Sequence, residues 1–226
     1  MNGDHHPRII LALAAEADDT FMWDRLRTLQ TEMFAAGPVA IKLAYFGREG
    51  ALQTRPCITT RWVTDADDWA DIVDRGRAGC ECGCFIQTSD ILAEALAETR
   101  QGPVQAVVVV GDSFHGDLDA AIATAKQLRA AGTRLFLFQQ GRSGRTEDAF
   151  RALAEVTGGA YFQFNPHVER VAQRLPQMVE AVSHFALGGI GAMTALEARG
   201  NEAAALLLEQ MHAADRVLAS GKSARR

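Results

Sequence analysis

The chain has 226 residues, 48 % of them hydrophobic, with 23 basic against 28 acidic side chains and a formal net charge of −5. That length and apolar content build one domain with its own core and leave too little for a second. The acidic balance argues against nucleic acid or an anionic membrane as partner, no run approaches the ~18 apolar residues of a membrane span, and the opening MNGDHHPRII is no signal peptide, so a cytoplasmic protein is expected.

Residues 1–7 read as a flexible start, and RIILAL (8–13) as the first strand. Directly after it LALAAEADDT brings Glu16, Asp18 and Asp19 together. Carboxylates there either offer oxygen ligands to a hard cation or cap the next helix and complement its dipole. That helix is expected from about 21 to 36, followed by the strand VAIKLAYF (39–46). RPCITTRWV (55–63) contains Pro56, which cannot donate to a central ladder, so an antiparallel edge strand is expected there. In TDADDWADIVDR the acids at 67 and 68 sit in the first turn of a helix, where the dipole favours them.

GRAGCECGCFIQ (76–87) reads as a loop carrying Cys80, Cys82 and Cys84, three of the four cysteines. They form no disulfide framework for a chain this long, which leaves free thiols or metal ligands. A helix follows over 88–100, then VQAVVVVG (104–111), a β-branched run expected of a central parallel strand covered on both faces. Next come GDSFHGD with Asp112, Ser113 and His115, a helix over 117–131, the strand TRLFLFQQ (133–140), the turn GRSGRTED, a helix over 146–157 capped at Thr146, the strand AYFQF (160–164) and a helix over 167–187. Alternation of this kind predicts an α/β fold: a three-layer, doubly wound, mostly parallel six-stranded sheet. Residues 8–187 are assigned to that domain. LGGIG then marks a hinge into a C-terminal helical extension over 188–220, and 221–226 reads as a disordered tail. The second extension helix carries Ala203, Leu206, Leu207, Gln210 and Ala214 on one stripe, a docking or homodimer element, or simply a helix folded back on its own domain.

Ligands of an open parallel sheet bind beyond the carboxyl ends of its strands. The loops after strand one, before the helix at 88 and after the central strand should meet there. VVVVGDSFHGDLDAAIATAKQLRAAGTRLFLFQQG and TEDAFRALAEVTGGAYFQF, with an Asp directly after the central strand and VTGGAYF leading into the last one, resemble a von Willebrand factor A domain of the stand-alone bacterial type. The resemblance implies a Rossmann-like fold over about 8–187 and a protein-binding role. It also implies a metal-ion-dependent adhesion site, in which Mg²⁺ is held by an Asp-x-Ser-x-Ser loop, a Thr and a further Asp. Carried onto this chain, that pattern puts Ala14 at the first Asp, Glu16 and Asp18 at the two serines, Thr88 or Ser89 near the Thr, and retains Asp112. Such a site is degenerate.

Glu16, Asp18 and Asp112 are therefore the candidate ligands for a divalent cation such as Mg²⁺. Cys80, Cys82, Cys84 and His115 are alternative ligands of softer type, suited to Zn²⁺. The bland readings are caps, loop thiols and a surface histidine, with no cofactor at all. Ser113 lacks the Gly-x-Ser-x-Gly elbow of a hydrolase nucleophile. The expectation is a non-enzymatic adaptor. A cysteine-based metal or redox sensor and a hydrolase using Ser113, Asp112 and His115 are the alternatives.

Overall fold

The computed structural model describes residues 6–13, 20–46, 57–79, 88–164 and 174–221. Six strands, β1 (Arg8–Leu13), β2 (Ala40–Phe46), β3 (Cys57–Thr59), β4 (Ala106–Gly111), β5 (Arg134–Gln140) and β6 (Ala160–Phe164), form one sheet in the order β3-β2-β1-β4-β5-β6. All neighbours pair in parallel except β2 and β3. The chain winds outward from β1 to one side and then returns to β4 on the other, so strand order reverses between β1 and β4. The expected sheet, its antiparallel edge strand and β4 near its centre are all present.

Side chains alternate across each strand, and the two faces bury separate cores. Ile9, Leu11 and Leu13 of β1 with Val108 and Val110 of β4 join one cluster; Ile10, Ala12, Val107 and Val109 join the other. The first core lies under α1 (Thr20–Thr28), α2 (Gln30–Ala35), α3 (Ala66–Gly79), α7 (Arg174–Glu197) and α8 (Glu202–Ala219). The second lies under α4 (Thr88–Thr99), α5 (Leu118–Ala130) and α6 (Gly144–Thr157). This is the three-layer arrangement that a β-branched, doubly covered strand requires.

Several local expectations are corrected. The helix expected over 21–36 breaks at Leu29, whose buried side chain belongs to the first core. Of the strand expected over 55–63, residues 55 and 56 lie outside the described residues, β3 ends at Thr59, and Val63 makes a separate bridge to Ile41. The cap of α6 is Ser143, whose hydroxyl accepts from the Thr146 amide. Thr146 instead lies inside the helix, almost fully buried. At the other end of α6 Gly158 takes a left-handed φ of 70° as C-cap, and a Cβ on Gly159 would collide with the Leu135 carbonyl oxygen. VTGGAYF is thus a helix stop followed by a close strand approach, and both positions call for glycine.

The expected hinge falls inside α7, whose backbone leaves helical geometry at Gly188 and Gly189 (φ 65° at the latter). Ala203, Ala204, Leu207, Leu208 and Met211 of α8 share the hydrophobic cluster of Ile9, Leu11, Val108 and Phe136. The helices beyond residue 188 are therefore packed into the core of the sheet. Among the described residues α7 is the one helix long and apolar enough to cross a membrane by length and composition, and 44 % of its most apolar window is buried within the protein.

Candidate functional site at the carboxyl ends of the strands

The 112–117 segment follows β4 directly, at the strand-order reversal, and ends at Asp117, whose carboxylate caps α5 by accepting from the amides of Asp119 and Ala120. Asp112 is exposed, and its Oδ1 accepts the Ser113 hydroxyl at 2.8 Å.

Behind the loop lies a chain of buried and part-buried hydrogen bonds. The Phe114 amide donates to Thr146 Oγ1 at 3.1 Å, and that hydroxyl donates to Ser143 Oγ at 3.1 Å. Gln139 Nε2 donates to the Ser143 carbonyl at 2.9 Å, while Gln139 Oε1 accepts from Tyr161 Oη at 2.7 Å. Gln139 is fully buried, with both ends of its amide bonded. Satisfied buried polar networks rigidify what they touch, so the frame ties the β4 loop to the start of α6 and to β6. The links from Phe114 to Thr146 and from Tyr161 to Gln139 were not visible in the sequence, because they join residues 32 and 22 apart on different elements.

The start of α4 closes the other flank. A Cβ on Gly116 would stand 3.4 Å from Ser89 Oγ, so the loop abuts the first turn of α4. Thr88 is fully buried there, and its hydroxyl has no hydrogen-bond partner. An orphaned buried hydroxyl is costly and needs an explanation; an oxygen ligand for a cation is one. Yet the described residues supply at this end the carboxylate of Asp112, that of Asp117, which is engaged in capping α5, and the unpartnered hydroxyl of Thr88. A hard divalent cation wants about six oxygens, and no group of three or more His, Cys, Asp or Glu able to hold a metal occurs among the described residues. Taken alone, these residues do not complete a metal site.

Glu16 and Asp18, and likewise Cys80, Cys82 and Cys84, lie outside the described residues. The structure thus places Asp112, Ser113 and His115 together on one loop and leaves their proposed co-ligands unplaced. Cys57 is the one cysteine among the described residues. Burial, with Glu94 and Asp90 nearby, pushes its thiol up to about 12, which makes it unreactive near neutral pH.

No family model matches the chain, and no curated protein matches its sequence. Solved structures do match. A von Willebrand factor type A protein from Catenulispora acidiphila superposes with a TM-score of 0.60 at 9 % identity, over 79 % of this chain and 43 % of the other. Proximal thread matrix protein 1 from the mussel byssus, solved with a zinc-occupied adhesion-site motif, gives 0.59 at 12 %, over 79 % and 46 %. The SpRpn10 VWA domain gives 0.55 at 11 %, over 74 % and 92 %. This chain spans less than half the length of the first two.

Proposed function

We propose that this chain, which has the fold of a von Willebrand factor A domain, is a non-enzymatic adaptor that binds a protein partner through the carboxyl-end face, and that the family's metal site is degenerate in it. The supporting observation is how the 112–117 loop is built. Its exposed groups, Asp112 and Asp117, ride on a backbone held from behind at Phe114 by Thr146 and Ser143. A preordered loop gives up little conformational freedom when a partner docks. Polar groups outward and a locked frame inward suit recognition, and they ask no proton transfer of the residues present.

The test is affinity capture from the native host with the wild-type chain and with Asp112→Arg, which reverses the charge at the centre of the face. The expected result is a partner retained by the wild type and released by the variant, with both melting at the same temperature. A partner held equally by both overturns the assignment of this face. Calorimetric titration with Mg²⁺ and with Zn²⁺ addresses the metal. Stoichiometric Mg²⁺ binding that Asp112→Asn abolishes would replace the degenerate site with an intact one.

A further inference from the structure

We propose that the free edge of β6 is a latent pairing surface for a second copy of this chain, and that Gln210 of α8 keeps it closed. Among the described residues β6 is the last strand of the sheet and pairs on one side only, with β5. Alternate residues of a parallel strand bond to opposite sides. The Gly141 amide donates to the Phe164 carbonyl, so Ala160, Phe162 and Phe164 turn their backbone groups to β5. Tyr161 and Gln163 turn theirs to the open side.

Natural proteins blunt such an edge with lysine, proline or a bulge on the strand itself. AYFQF has no charge and no proline, and three of its five residues are aromatic. That composition is the one found in segments that associate with themselves as sheets. The strand therefore carries no protection of its own, and the protection is supplied from α8.

Gln210 Oε1 accepts the Tyr161 amide at 2.9 Å, the bond that the carbonyl of a seventh strand would make. Asp215, five residues further along α8, anchors the helix to Arg134 at 3.1 Å. The cover is local. Beside Gln210 a groove of about 290 Å³ lies between α6 and α8, lined by Arg151, Glu155, Gly159, Tyr161 and Ala213. Its lining holds one cation and one anion, so a second copy meets no excess of like charge. A second copy is the occupant the edge fits best, because an uncharged aromatic strand pairs with itself about a two-fold axis and sets aromatic residues across from one another.

The experiment uses the full chain. Gln210→Met keeps the length and apolar stem of the side chain and removes the acceptor; Gln210→Glu keeps an acceptor. In the Met variant, hydrogen exchange at the Tyr161 amide should speed up roughly tenfold, as expected for removal of one hydrogen bond. Light scattering should then show a mass that doubles with concentration relative to wild type. Adding Gln163→Lys, a charge on the edge, should return the wild-type mass, and the Glu variant should match wild type in both readings. The proposal falls if exchange at Tyr161 does not change in the Met variant, if its mass never departs from wild type, or if the doubled form persists with Gln163→Lys. Should the Met variant lose its near-ultraviolet dichroism, Gln210→Ser, too short to reach the amide, takes its place under the same criteria.

Discussion

At the β2–β3 edge of the sheet, Lys42 reaches from β2 to Glu98 near the end of α4 at 2.5 Å, with both side chains buried. Trp62 Nε1 donates to the other carboxylate oxygen at 3.1 Å, and Arg8 stands 3.7 Å from that oxygen and over the Trp62 ring. At the opposite edge the strand itself is uncharged, and its cover comes from Gln210 and from a carboxylate, Asp215, whose side chain is 32 % exposed. One end of the sheet is braced by charges taken out of water between β2 and α4, the other by a helix laid alongside. The difference teaches where each edge is vulnerable: the first to removal of a single buried partner, the second to removal of its cover.

The largest expected effect tests the first edge. Glu98→Ala leaves the Lys42 ammonium buried with its carboxylate gone and the Trp62 N–H without its acceptor. Breaking a buried pair on one side costs about 3–5 kcal/mol, to be read as a lower midpoint in urea at unchanged slope. Replacing both Lys42 and Glu98 with Met should recover most of that loss, since the charge left behind is what destabilises. A loss below about 1 kcal/mol for Glu98→Ala, the size of an exposed pair, would remove the contrast between the edges.

Asp215→Ala tests the second edge and should cost less. Arg134 keeps its bond to the Gly158 carbonyl, and Arg129 is itself 36 % exposed. The expected loss is about 1 kcal/mol, the range of partly solvated ion pairs, measured in the same urea series. A loss as large as that of Glu98→Ala would mean that α8 depends on its anchor as the first edge depends on its buried carboxylate.

Much of this was legible in the sequence, and what was not has identifiable reasons. VVVV in β4 announced a strand buried on both faces, Pro56 pointed to the edge, and Asp112 directly after the central strand marked the loop at the strand-order reversal. The partnership of Lys42 and Glu98 joins residues 56 apart, and no local pattern encodes it. The stripe expected on α8 is only partly the buried face, which runs through Ala204, Leu208 and Met211 as well; Gln210 is half-buried beside it, and periodicity cannot say that its amide would meet a strand edge. Ser143 and Thr146 both had the chemistry of a cap; backbone geometry chose the first and freed the second to hold Phe114. Of the candidate site, the 112–117 loop came from topology and its neighbouring residues. The frame behind it, made from Gln139 and Tyr161, required tertiary structure to be seen.

The smallest effect distinguishes removal of the Gln210 bond from displacement of the whole helix. Burial and the Glu147 carboxylate push the Tyr161 hydroxyl up to about 12, against the opposing pull of Arg151 stacked 4.4 Å over the ring. An unfolded tyrosine ionises near ~10, so the native state resists a deprotonation that the unfolded chain accepts. Stability from this group is complete below about pH 10 and drains away as pH rises from there towards 12. Tyr161→Phe should remove the component near pH 12 from the ultraviolet titration and flatten that alkaline decline. In Gln210→Met the ring stays packed against Gln139 and α6, so its midpoint should remain near 12 even while the Tyr161 amide exchanges faster. A midpoint falling towards the ordinary tyrosine range would mean that α8 had lifted away from the sheet. The edge would then be guarded by the helix as a body, and Gln210 would be only one of the groups through which it holds on.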